Sequence, residues 1–259
     1  MQYYGSSDQG IRRSSNQDAF QLKIAGNLLI ATVCDGMGGA SGGGVASELG
    51  VSTYTKKLAK YINSALSFLY LGDIPEFGEP CENFPELRLR EFVSKSVDLA
   101  NAAVFSEAEK DSSLHGMGTT LTSCIVSPTG ITTVNIGDSR IYYVFDGKIR
   151  QLTRDHSLVQ GLIDEGKITE KEAQTHPNRN IILRALGVDE KVEADVEEYP
   201  YTEGTLLLCS DGLSNYFVEE LFLQVLESRR TVKEKATLLI EYANRCGGAD
   251  NITAVVIKL

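Results

Sequence analysis

The chain has 259 residues, 35 acidic and 25 basic, giving a formal net charge of −10. That length accommodates one large domain or two small ones around an ample core, and the acidic balance repels phosphate backbones and anionic surfaces, so no nucleic-acid or membrane partner is expected and no basic patch stands out. The N-terminal segment lacks an apolar signal core and the longest apolar runs are only strand-length, which predicts a soluble, cytoplasmic protein.

Residues 19–24 and 28–34 form two apolar runs separated by the turn-forming pair Gly26-Asn27, the pattern of an antiparallel strand pair. A helix is predicted over 45–61, with Val45, Leu49, Ser52 and Lys56 along one side and Leu58 and Ile62 extending the apolar side. Residues 67–86 contain Pro75, Pro80 and Pro85 with Gly72 and Gly78, so a surface excursion is expected there. Helical periodicity returns over 88–110, where Phe92, Val93, Val97, Ala100 and Val104 form a stripe. Strands follow at 119–126, 131–136 and 140–145, and Asp146-Gly147 makes a tight hairpin into 148–152. The more polar stretch 155–187 holds two short helical segments, the second opened by a Thr169/Glu172 capping box, and is read as a mobile flap. Strands at 192–199 and 205–210, helices at 218–226 and 232–245, and a strand from Ile252 complete the chain. In the last helix Ala236, Leu239, Ile240 and Ala243 fall on one face. Hairpin-linked strands leave no room for helical crossovers, so two antiparallel sheets with helices outside are expected rather than a doubly wound parallel fold.

Several apolar runs end or begin at an aspartate. LLIATVC leads into Asp35-Gly36, TTVNIG into Asp138, and TLLLCS into Asp211-Gly212; Asp18 precedes a strand, and Asp250-Asn251 precedes ITAVVIKL. Any one Asp-Gly is most simply a turn. Together, carboxylates on rigid strand ends can converge from distant positions, and their repulsion would require bound cations. All-oxygen ligation suits Mg²⁺ or Mn²⁺. The glycines around Asp35 let the backbone approach an ion and expose a carbonyl, and Arg13 offers a planar fork for a phosphoryl group. With three histidines and five cysteines, and no Cys-x-x-Cys pair, zinc and disulfide chemistry are set aside. Cys34, Cys124 and Cys209 read as small buried hydrophobes.

These residues resemble the metal-dependent serine/threonine protein phosphatases of type 2C in their compact bacterial form. Asp8-Gln9-Gly10, Arg13-x-x-Asn16-Gln17-Asp18, Asp35-Gly36-Met37-Gly38-Gly39, Gly116-Met117-Gly118-Thr119-Thr120, Gly137-Asp138-Ser139-Arg140, Asp155-His156-Ser157, Ser210-Asp211-Gly212 and Asp250-Asn251 occur in the family's order. The resemblance implies an α/β (α+β) fold, a four-layer α-β-β-α sandwich with two central antiparallel sheets, as one catalytic domain over 1–259 with a flap at about 155–187. It also implies that Asp35 bridges two metals, that the Gly36 carbonyl binds one, and that Asp211 and Asp250 bind the other. Asp18 would orient metal-bound water, Asp138 would help hold a weaker third metal, and Arg13 would bind the substrate phosphate. A metal-bridging water then attacks phosphorus in line, hydrolysing phosphoserine or phosphothreonine in proteins. Substrates of a serine/threonine kinase and a monomeric state are the expected partners and assembly.

The chain departs from the family pattern in three places. Met37 stands where some members carry histidine, Asn215 where the third-metal site often draws on an acid, and Gln17 where many carry glutamate. His156 is read as structural in preference to a proton donor. Two other functions are weighed: a non-catalytic module that binds phosphoproteins on the same fold, and a serine hydrolase using Ser41 in Gly39-Ala40-Ser41-Gly42-Gly43. The six residues Asp35 to Ala40 intervene between the apolar strand and Ser41, too many for a strand-end nucleophile.

Overall fold

The computed structural model describes residues 1–69 and 86–259. One sheet has the order β1 (Gln2–Asp8), β11 (Ile252–Lys258), β10 (Thr205–Cys209), β7 (Arg140–Phe145), β8 (Lys148–Gln151). The other runs β2 (Asp18–Ala25), β3 (Leu28–Met37), β5 (Leu121–Ser127), β6 (Gly130–Ile136), β9 (Asp195–Tyr199), and the short β4 (Gly118–Thr119) pairs with the end of β3. Every pairing is antiparallel, as the hairpin connections dictate. Asp146, at φ 51, and Gly147 form the expected two-residue turn between β7 and β8.

Period-two alternation sorts each strand's side chains between two cores. In β3, Leu28, Ile30 and Cys34 pack under helices α1 (Gly39–Leu69) and α2 (Glu86–Lys110), whereas Leu29, Ala31 and Val33 face the other sheet. In β10 and β11, Leu207, Cys209, Ala254 and Val256 pack under α6 (Glu219–Glu227) and α7 (Val232–Arg245), while Leu206, Leu208, Val255 and Ile257 fill the space between the sheets. The result is the four-layer α-β-β-α order that the resemblance implied. Capping boxes at Thr169 and Thr231 open α4 (Glu170–Ala173) and α7, and α3 (Leu158–Asp164) and α5 (Asp211–Ser214) complete the α-helices among the described residues.

Three expectations need correction. The N-terminal residues 2–8, given no structure from sequence, form β1 along the full length of β11. On α1, Val45 and Lys56 are exposed, and the face against the sheet is Val51, Tyr54, Leu58 and Ile62. Basic charge is gathered locally after all: Lys23, Lys56 and Lys60 line an open cleft of about 660 Å³. The excursion expected within 67–86 falls chiefly on 70–85, outside the described residues. Among those described, no helix is long and apolar enough to cross a membrane.

Candidate active site

Asp35 continues the row of β3 residues that face the opposite sheet, and Asp18 lies directly across from it in the β2–β3 register. From the other sheet, the Ser210 and Thr253 hydroxyls each donate to Asp18 Oδ2 at 2.7 Å. Asp18 is therefore gripped by both sheets at the end where they part. Asp211, at the start of α5, accepts a hydrogen bond from Asn215 Nδ2 at 3.2 Å. Asp138 is buried in the turn between β6 and β7. Asp250, just before β11, accepts the Asn251 N–H at 2.8 Å and Arg13 Nη2 at 2.7 Å.

Gly36 fits this place because it has no side chain: a Cβ there would lie 1.9 Å from the Gly43 carbonyl oxygen on α1. The N-terminal loop carrying Arg13 is tied down by Asn251. Its amide donates to the Gln9 and Ser15 carbonyls, each at 2.8 Å, and accepts the Gln17 N–H at 2.9 Å. Sequence reading quoted Asn251 only as part of a motif and missed Ser210 and Thr253 as supports. The available signal was a hydroxyl at the inward position of otherwise apolar strands.

The electrostatics are those of crowded anions. Burial pushes the Asp35 carboxyl well above its ordinary range, with Asp18, Asp211, Asp138 and Asp250 adding repulsion. Burial likewise raises Asp138 and Asp211, reinforced by Asp211 and Asp155 for the first and by Asp250 for the second. Asp18 is pushed up to about 7, burial outweighing the two hydroxyl donors. Oδ1 of Asp18, of Asp138 and of Asp211 is buried without a hydrogen-bond partner. Among the described residues no three acidic, histidine or cysteine side chains close into a ready-made metal cage. The orphaned oxygens and mutual repulsion weigh more, because Mg²⁺ and Mn²⁺ take part of their coordination from water and backbone carbonyls and need few carboxylates each.

Two residues from the sequence reading stand apart. Ser41 lies in the first turn of α1, not at a strand end. His156 bonds the Gly137 backbone and Asp195 rather than any of the five carboxylates.

A profile of the family described as protein phosphatase 2C matches residues 9–245. The chain belongs to the protein phosphatase 2C family. Among its relatives, the serine/threonine phosphatase stp of Listeria monocytogenes is 40% identical over 256 residues, covering 97% of this chain and 93% of the relative. The crystal structure of the Mycobacterium tuberculosis serine/threonine phosphatase PstP/Ppp superposes with a TM-score of 0.81 at 35% identity, covering 100% of this chain and 98% of that one. The catalytic domain of PstP in complex with two manganese ions gives a TM-score of 0.77 at 34% identity, with 98% and 96% coverage. As a member of this family the chain is a serine/threonine protein phosphatase, a hydrolase whose substrates are phosphoproteins. The serine hydrolase and pure binding readings are not favoured.

Proposed function

We propose that hydrolysis depends on a divalent pair, Mg²⁺ or Mn²⁺, with Asp35 shared between the ions, the Gly36 carbonyl on one and Asp211 and Asp250 on the other. The observation that carries this reading is the set of buried carboxyl oxygens of Asp211, Asp18 and Asp138 with no hydrogen-bond partner, beside an Asp35 carboxyl that burial and then Asp18, Asp211, Asp138 and Asp250 push up. The two manganese ions bound by the PstP catalytic domain support it. Bound there, the ions would supply an acidified water as nucleophile and positive charge opposite the phosphoryl oxygens.

The chain's own residues divide the remaining work. Asp18, immobilised by Ser210 and Thr253, accepts a hydrogen bond from the attacking water and orients it toward phosphorus. Arg13, half exposed on its loop, exchanges its bond to Asp250 for two parallel bonds to the substrate phosphate. Asp138 lends an oxygen to a weaker third ion, with Asn215 in place of the acid often found beside it. The stretch 155–187 acts as a flap that contributes to substrate choice, and the whole chain works as one monomeric cytoplasmic domain opposite a serine/threonine kinase.

Phosphate release from a phosphothreonine peptide, measured with added Mn²⁺ and again with chelator, tests the metal reading. Turnover should need the metal and stop with EDTA; turnover that survives EDTA overturns it.

A further inference from the structure

The turn that carries Asp138 is bracketed by two consecutive residues from the root of the 155–187 stretch. Before it, the His156 N–H donates to the Gly137 carbonyl at 2.8 Å, and the Gly137 N–H donates to His156 Nδ1 at 3.2 Å. After it, Arg140 grips the buried Asp155 carboxylate through Nε and Nη2, at 3.0 and 2.7 Å. Between these anchors, the hydroxyls of Ser139 and Thr120 share a 2.9 Å bond, and Thr120 Oγ1 accepts the Asp35 N–H at 2.8 Å. Gly137 has φ 103, and a Cβ there would lie 2.5 Å from Thr120 Cγ2, so the turn has one tight seat.

Because Nδ1 accepts, the neutral ring carries its proton on Nε2, which donates to Asp195 Oδ2 at 3.0 Å. Asp195 is held in turn by Arg184 Nη1 at 2.9 Å, and the Leu183 N–H donates to the His156 carbonyl at 2.7 Å. A single buried residue, His156, thus joins the Asp138 turn and the first residue of β9 through its ring and the returning end of the 155–187 stretch through its backbone carbonyl.

We propose that His156 is a positioning residue for metal binding: its Nδ1 acceptor fixes the Gly137-Asp138 turn, and Asp195 with Arg184 fixes the ring. The inference goes beyond the proposed function and rests on its reading of Asp138 as a metal ligand. Groups that orient metal ligands typically change affinity about 10–100-fold when removed.

Two substitutions separate the ring's two bonds. His156→Asn keeps an acceptor near the Nδ1 position and gives up Asp195; His156→Gln places its amide near Nε2 and gives up Gly137. Manganese uptake is measured by calorimetry, and the half-saturating Mn²⁺ for phosphothreonine-peptide hydrolysis is measured beside it, with Asp138→Asn for reference. His156→Gln should weaken the weakest calorimetric step about tenfold and raise the half-saturating Mn²⁺ to match, with kcat recovering at high metal. His156→Asn should stay within about threefold of wild type, as expected when the acceptor to the ligand turn is kept. If Asp138→Asn shifts both curves and His156→Gln shifts neither, the positioning role is wrong. If Asp138→Asn shifts neither, the assignment of Asp138 fails and takes this inference with it. Equal losses for the Asn and Gln variants, tracking their melting temperatures, would reduce His156 to a structural residue and overturn the proposal.

Discussion

Replacing Asp18 with asparagine should stabilise the metal-free protein, and by an amount that depends on pH. Burial with neighbouring carboxylates moves this carboxyl from its ordinary 3.8 up to about 7. The raised value means the unfolded chain loses the proton first: below about pH 4 both states hold it, and the folded state is increasingly disfavoured as pH rises toward 7. The full effect is on the order of 4 kcal/mol above pH 8, and about 1.5 kcal/mol remains at pH 5. Asparagine keeps the shape, and its carbonyl oxygen can still accept from Ser210 and Thr253. Any imperfection in those bonds subtracts equally at both pH values, so the difference between them isolates the charge. For a domain of this size 1 kcal/mol corresponds to about 2–4 °C, so in EDTA the melting advantage of Asp18→Asn should widen by about 5–10 °C between pH 5 and pH 8.5. Scanning calorimetry of both proteins in EDTA measures it. An advantage that is the same at both pH values, or absent at pH 8.5, refutes the account of an uncompensated buried charge.

Asp211→Ala should abolish manganese-dependent turnover while leaving a cooperative melt; more than about a tenth of wild-type activity, under roughly 1.4 kcal/mol of barrier, would contradict its role. Arg13→Ala should chiefly raise KM for a phosphothreonine peptide, and an unchanged KM with a large fall in kcat would count against phosphate binding. Asn251→Ala removes three buried or half-buried hydrogen bonds that hold the loop of Arg13, each worth about 1 kcal/mol. Its midpoint in urea should fall and its KM should rise together; a midpoint equal to wild type would show that the loop is held by something else.

The parts of this molecule that were legible in sequence are those where local pattern and tertiary packing agree. The apolar run of β3 and the stripe Ala236, Leu239, Ile240, Ala243 are buried as expected, because a sheet or helix face is the only way to remove them from water. β1 was illegible because Gln2, Tyr3, Tyr4, Gly5, Ser6, Ser7 and Asp8 have no alternation; their strand exists through pairing with β11, some 250 positions away in the chain. The buried face of α1 was misread because it includes Ser47, Gly50 and Thr55, small or polar residues that let the helix lie close to the sheet. At the site, Asp35, Asp211, Asp250 and Asp18 announced themselves by position at strand ends. Their supports did not. Arg13 meets Asp250 across 237 positions, and His156 reveals its partners only once Gly137 and Asp195 are brought beside it.

What supports the carboxylates says most about what they are for. A cluster built for stability alone would pair each buried anion with a lysine or arginine, since an unpaired buried charge is strongly disfavoured. Here Asp18 is held by the hydroxyls of Ser210 and Thr253, and Thr120 holds the Asp35 backbone rather than its charge. The nearby cations are committed elsewhere or exposed: Arg140 to Asp155, and Arg13 to Asp250 at the solvent edge. Neutral donors fix geometry without cancelling charge. A fold that spends its hydroxyls on orientation and withholds its cations leaves several negative charges to be balanced from outside. The Asp18→Asn comparison measures one of them directly: if Mn²⁺ at millimolar concentration raises the melting temperature of the wild type more than that of the variant at pH 8.5, the balancing charge is the metal.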